Sequence, residues 1–320
     1  MGATQVNESA ASSRPPAARG GRRALVVAAV LVSRLADQLG AGASPAPTPT
    51  STFAAVDRLS WAPPALTDPT TITVTASETK LDLDPDRDYV LRLPSVPLEV
   101  ERGLRVEGGR NVVLIGGEIV VPSEAEAPDT SERTGLLLKN QTGTIHVEGL
   151  KISGVDLAEG IDLDQAKGAT VVLQNIEVGL VHGSREGHHA DVLQAWAGPE
   201  RLRVDGLQGA TQYQGLFLLP QQFIDPPPME FDLRRVIITG DTSGPTGSAS
   251  YLLWTHDDAP WLSLREVLLV DPRPELRGML QPYDVWASGV QLSPVADAVT
   301  MPGGTPGAGY VSPGYRDGAS

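Results

Sequence analysis

Two aspartates, Asp162 and Asp164, alternate with apolar residues in the short segment Gly160–Gln165 (GIDLDQ). In an extended strand, residues i and i+2 face the same way, about 6.5–7 Å apart at Cα. Two carboxylates at that separation can work as acid and base around a water, as in inverting glycoside hydrolysis. They could equally hold a hard cation such as calcium, which takes oxygen ligands, or stand as a solvated outward face. Further along lies Gly187–Trp196 (GHHADVLQAW), and three of the five histidines fall between His182 and His189. His189 could act as a general base, its tautomer held by Asp191 on the same side. Gln194 and Trp196 add an amide and a flat apolar face suited to a pyranose ring. The alternative for each histidine is a loop-closing bond to a backbone carbonyl.

The next polar groups are Thr211–Gly215 (TQYQG) and Leu219–Phe223 (LPQQF). Tyr213, Gln214 and Gln221 would contact a carbohydrate chain there, or form stacked amide ladders that satisfy turn backbones. Lys139 is the basic residue of the same face.

The elements that must position these residues follow from a repeat. Asn111–Val120, Thr144–Ser153, Thr170–Gly179, Arg201–Ala210, Glu230–Thr239 and Trp261–Val270 share one alternating pattern, with starts 33, 26, 31, 29 and 31 residues apart. A shorter strand precedes most copies: Gly135–Asn140, Gly160–Gln165, Asp191–Trp196, Gly215–Pro220 and Tyr251–His256. No helical periodicity interrupts the run. Self-similarity at this period marks a solenoid in which each coil buries its apolar face on its neighbours. The expected fold is all-β: a single-stranded right-handed parallel β-helix of about seven coils. Aligning Leu136, Ile161, Leu193, Leu216 and Leu252 as interior makes Asp162/Asp164 and Gln194/Trp196 outward pairs. Gln194 then sits one coil above Asp162 and Trp196 above Asp164, and Gln214 neighbours Asp191.

From roughly Thr71 to Val290 these coils resemble the right-handed parallel β-helix of the pectate-lyase-like superfamily. His189–Gln194 (HADVLQ) is similar to the His-x-Asp-Gly-(Ile/Val)-Gln stretches of several β-helix polysaccharide enzymes, with Val192 where Gly is usual. The resemblance implies engagement of polysaccharide on the first-strand face. It does not extend to a known triad. The chain has no Gly-His-Gly, Asn-Thr-Asp-Gly or Arg-Ile-Lys motif, and no Trp-x-Asp-His signature. Uronate elimination needs a cation against the sugar carboxylate, and the outward pairs supply only Lys139.

Composition narrows the classes. The 320 residues carry 39 acidic against 25 basic side chains, a net charge of −14. That argues against nucleic acid, which wants a basic stripe. The absence of cysteine excludes disulfides and thiolate chemistry. No phosphate-binding loop or zinc-peptidase motif is present. The N-terminus pairs basic Arg19–Arg23 with the apolar run Ala24–Ser33 and small residues at Ala41–Ala43, the order of a secretory signal peptide. Such a run is too short to span a bilayer. The expected organisation is a signal peptide over 1–43 and a Pro/Thr-rich linker and N-terminal cap over 44–70, with helix near Phe53–Leu59. The β-helix follows over 71–295, with Asp88–Leu93 as its opening strand, and then a Gly/Pro-rich tail over 296–320 that runs along the surface or is disordered.

The sequence thus describes a secreted, bacterial-type β-helix protein that engages polysaccharide. Cleavage would centre on Asp162, Asp164, His189 and Asp191, with Gln194, Trp196, Tyr213, Gln214, Gln221 and Lys139 binding the chain. The rivals are a non-catalytic carbohydrate-binding or cell-surface solenoid and a polysaccharide lyase. No cofactor is required, calcium excepted.

Overall fold

A computed structural model describes residues 58–122, 133–155, 157–184, 187–244, 251–271, 280–281, 289–293 and 303–316. The expected signal peptide, most of the linker, and the helix expected near Phe53 lie outside these residues. The described chain is all-β, without helix, and forms a parallel β-solenoid of about six turns. Its architecture is that of a single-stranded parallel β-helix, consistent with the right-handed sense.

Two parallel sheets make the walls. The groove sheet has eight strands, running in order from Lys80–Leu83 to Leu280–Gln281. The long sheet has twelve and holds all six repeated segments. Each strand pairs with its equivalent one coil away, so a residue's neighbours are set by register. Leu104, Leu136, Ile161, Leu193, Leu216 and Leu253 form one continuous interior ladder. All six are buried. Val106, Leu138, Leu163, Ala195 and Leu218 form a second. Alternation turns these residues inward, and stacking removes them from water at about 25 cal/mol per Å2 of apolar surface.

The long sheet bends at the same position in successive coils from Gly116 onward. Gly116, Gly149, Asn175, Gly206, Arg235 and Glu266 occupy this column, each with positive φ. Glycine and asparagine adopt that region cheaply, whereas Arg235 pays about 1–2 kcal/mol. Its guanidinium reaches the carboxylate of Asp205, which is fully buried. The bend residue is thereby also the counter-ion that Asp205 requires.

Two parts of the structure depart from the sequence reading. Solenoid pairing begins at Thr70–Thr73, which pairs with Tyr89–Arg92, ahead of the expected opening strand. The interior residue of Tyr251–Thr255 is Leu253, not Leu252, because Leu216 pairs with Leu253 and Phe217 with Trp254. Leu252 and Leu253 are both buried, so apolarity alone could not choose between them. Thr255 consequently points inward, and Trp254 packs edge-to-face on Phe217 at 5.3 Å.

Residues 303–316 of the tail cross the long sheet beside the N-terminal segment. Leu59 and Tyr315 form a parallel bridge, and Trp61 exchanges two hydrogen bonds with Gln174 (2.9 and 2.7 Å). Beneath them His146 and Glu148, outward-facing on Thr144–Glu148, are fully buried. Glu148 contacts His146 Nε2 at 3.0 Å and accepts the phenol hydroxyls of Tyr310 (2.8 Å) and Tyr315 (2.7 Å). Burial alone would raise Glu148, but hydrogen bonds from His146, Ser312, Tyr315 and Tyr310 outweigh it and hold the carboxyl below its ordinary range. Burial and the Glu148 charge push Tyr315 up to about 12. Gly149 is obligatory here: a Cβ would lie 2.0 Å from Tyr310. Replacing Tyr310 with Phe removes one hydrogen bond to a buried charge, so unfolding in urea should show a loss of about 1.5–3 kcal/mol. Faster amide exchange at Gly307 and Arg316, whose N–H groups bond Gly149 and Leu59, should localise the effect to the clasp.

Candidate functional site

The outward face of the groove sheet carries a ladder of changing chemistry. Lys80, Arg105, Leu137, Asp162, Gln194, Phe217 and Trp254 are successive partners in register. At about 4.8 Å per strand, the row passes from cations through a carboxylate and an amide to aromatic rings. A cavity of about 460 Å3 opens over its first half. Its lining includes the cations Arg102, Arg105 and Lys139, the acids Glu159, Asp162 and Asp164, and Trp196.

The two aspartates occupy different environments. Asp162, on Glu159–Asp164, is only 3% exposed. Its Oδ2 meets Thr134 Oγ1 at 3.0 Å, and its Oδ1 has no hydrogen-bond partner. Burial raises Asp162 well above the usual carboxylate range, the Glu159 charge and a direct side-chain hydrogen bond with Glu159 raise it further, and the Thr134 hydrogen bond offsets only part of this, with the Asp191 charge adding a little more. Asp164, partly exposed at the strand's end, is ion-paired with Lys139 at 2.8 Å. One carboxyl is thus buried and pushed toward its neutral form, beside another that is paired with a cation.

Gln194 faces outward next to Asp162, as its alternation requires. Trp196 does not stack on Asp164. The register slips between Leu163 and Asp164, so Asp164 lies opposite Ala197. Trp196 still lines the cavity. Asp191 and His189 separate. Asp191 turns into the core, fully buried, and neither carboxylate oxygen has a hydrogen-bond partner. His189 stays exposed with its ring 5.2 Å from that of Tyr213, so the imidazole is not oriented by Asp191. Gln214 does lie beside Asp191 one coil on, with its amide likewise buried and unpartnered. Gln221 donates to the Asp225 carbonyl (3.0 Å) and closes its own turn. The structure therefore gathers Lys139, Asp162, Asp164 and Trp196 around one cavity, with Asp191 and Gln194 behind or beside it. It leaves His189, Tyr213 and Gln221 away from the cavity lining.

The sequence reading missed Thr134, Glu159 and the cations from earlier coils. Lys139 is not the only basic residue on this face, since Lys80 and Arg105 belong to the same outward row. Their strands, Lys80–Leu83 and Leu104–Gly108, show the same alternation and were the available signal. Among the described residues, no three carboxylates or imidazoles converge closely enough to hold a metal ion. No protein-family model, curated protein or solved structure matches the chain.

Asp191 offers a check on these electrostatics. Burial, then the Glu159 charge, raises it well above the carboxylate range. Between about pH 4 and that raised value the folded state binds the extra proton, so stability falls as pH rises. Urea titrations of the wild type should show this slope, and Asp191→Asn should flatten it and gain stability at neutral pH.

Proposed function

We propose that the protein engages polysaccharide along the groove sheet and cleaves glycosidic bonds, with Asp162 as general acid and Asp164 as the partnering carboxylate. The observation that carries this reading is the pair itself: neighbouring acids lining one cavity, Asp162 buried and pushed toward its neutral form, Asp164 partly exposed and paired with Lys139. Acid–base pairs are recognised by that divergence. The i, i+2 spacing sets the two Cα atoms about 6.5–7 Å apart on one face, and carboxyl groups at a comparable separation would leave room for the attacking water of an inverting mechanism. The Asp162 hydroxyl would protonate the leaving oxygen while Asp164 takes a proton from the attacking water. Trp196 would hold a ring by its face and Gln194 would bond hydroxyls. Lys80, Arg102 and Arg105 would meet the end of the chain lying over the earlier coils. The leader-like N-terminus supports action outside the cell.

One observation favours a second reading, binding without cleavage. The Lys139–Asp164 ion pair at 2.8 Å occupies the proposed base. In a catalytic site Lys139 would have to yield to the substrate.

The test is a panel of purified polysaccharides assayed for new reducing ends, and for the ultraviolet absorbance of unsaturated products, with and without calcium. Hydrolysis should yield reducing ends without absorbance, and Asp162→Asn or Asp164→Asn should lower the rate by about 10²–10⁴-fold. Trp196→Ala should raise KM more than it lowers kcat. Absorbance rising with the reducing ends would replace hydrolysis by elimination. Silence with retention on an immobilised glycan would establish the binding reading.

A further inference from the structure

Thr134 Oγ1 lies 2.9 Å from Glu159 Oε2 and 3.0 Å from Asp162 Oδ2. A threonine hydroxyl has one hydrogen and donates once. Two bare carboxylate oxygens cannot both be satisfied by it. One contact must run the other way, from a carboxyl O–H into the threonine oxygen. The trio is therefore hydrogen-bonded throughout only when Glu159 and Asp162 hold one proton between them.

The surroundings decide where that proton rests. Asp162 is almost wholly buried and Glu159 is partly exposed, so desolvation favours the neutral form at Asp162. The charged groups around the trio are Arg133, next to Thr134 and accepting the Glu159 N–H at its carbonyl, and those that line the cavity. Arg105 is paired with Glu107 (3.0 Å) and Lys139 with Asp164 (2.8 Å). Lys80 contacts Asp82 (3.6 Å), Arg102 lines the cavity from the earlier coil, and Asp191, from the following coil, is another carboxyl. None of these cations hydrogen-bonds Asp162.

We infer that Glu159 and Thr134 form a proton-reloading path that connects the buried Asp162 to solvent, with Glu159 as its outer end. In the resting state Asp162 donates to Thr134 Oγ1, which donates to the Glu159 carboxylate. After Asp162 gives its proton to a leaving oxygen, a solvent proton binds Glu159. Thr134 then passes its own hydrogen to Asp162 and accepts the one from Glu159. One proton enters, one is delivered, and the hydroxyl is regenerated. The catalytic role of the proton rests on the hydrolytic reading above; the shared proton does not. Glu159 and Thr134 are positioning residues, since neither needs to touch the substrate.

The experiment is a carboxyl 13C NMR titration of the full chain, with the Asp162 signal assigned by its loss in Asp162→Asn. In the wild type Asp162 should titrate well above the ordinary carboxylate range. Glu159→Gln removes the neighbouring charge and should lower that midpoint by about 1 unit or more. Thr134→Ser should preserve the wild-type curve. An ordinary wild-type midpoint overturns the proposal, and so does a midpoint that Glu159→Gln leaves unmoved. These readings need no substrate, so they stand apart from failure of the hydrolytic reading. Where a polysaccharide is cleaved, Thr134→Val should lower kcat several-fold at unchanged KM, with recovery in Thr134→Ser. Full activity in Thr134→Val would overturn the reloading role.

Discussion

In-register parallel stacking is the constraint on which everything else in this protein depends. Each strand must hydrogen-bond its equivalent one coil away, so residues about thirty positions apart in sequence become neighbours at about 4.8 Å. A residue type that suits one position must therefore tolerate its own column. Aliphatic residues fill the inward columns from Leu104 to Leu253. The bend column holds mostly Gly and Asn, with Glu266 and, where Asp205 supplies a counter-charge, Arg235. The outward column from Lys80 to Trp254 is released from burial, and its chemistry changes from coil to coil.

The same constraint produces two buried carboxylates with opposite fates. Glu148 and Asp162 both lie on outward faces and both lose water. Glu148 is covered by tail residues that bring two phenol hydroxyls, and it is stabilised as an anion. Asp162 receives a carboxylate neighbour and a single hydroxyl, and it is stabilised as an acid. Burial acts the same way on each; the hydrogen-bond donors around them decide the sign. One face is thereby closed by a structural clasp, and the other presents an acid to an open cavity.

Much of this is legible in the sequence. Alternation and repeat length revealed the solenoid, because a strand's period and a coil's length are written directly in the residues. The outward placement of Asp162 and Gln194 followed from the same parity. What failed were features that parity does not encode. The slip between Leu163 and Asp164 displaced Trp196 from its expected partner. Adjacent leucines hid the register at Leu253. Asp191, at a strand entrance, turned inward and left His189 outside, and no alternation rule applies at such a bend. Glu159 and Thr134 were overlooked because their significance lies in a contact between coils, and neither has an unusual neighbour in sequence.

The central claim is that the face carrying Asp162 and Trp196 is where a glycan binds. An array of immobilised oligosaccharides probed with the wild-type chain and with Trp196→Ala tests it most directly, because binding is read without assuming a reaction. The account predicts retention on one structural class of glycan, lost or weakened at least tenfold in Trp196→Ala, a loss of about 1.4 kcal/mol or more. Retention that Trp196→Ala leaves unchanged, or no retention on any glycan, would contradict it.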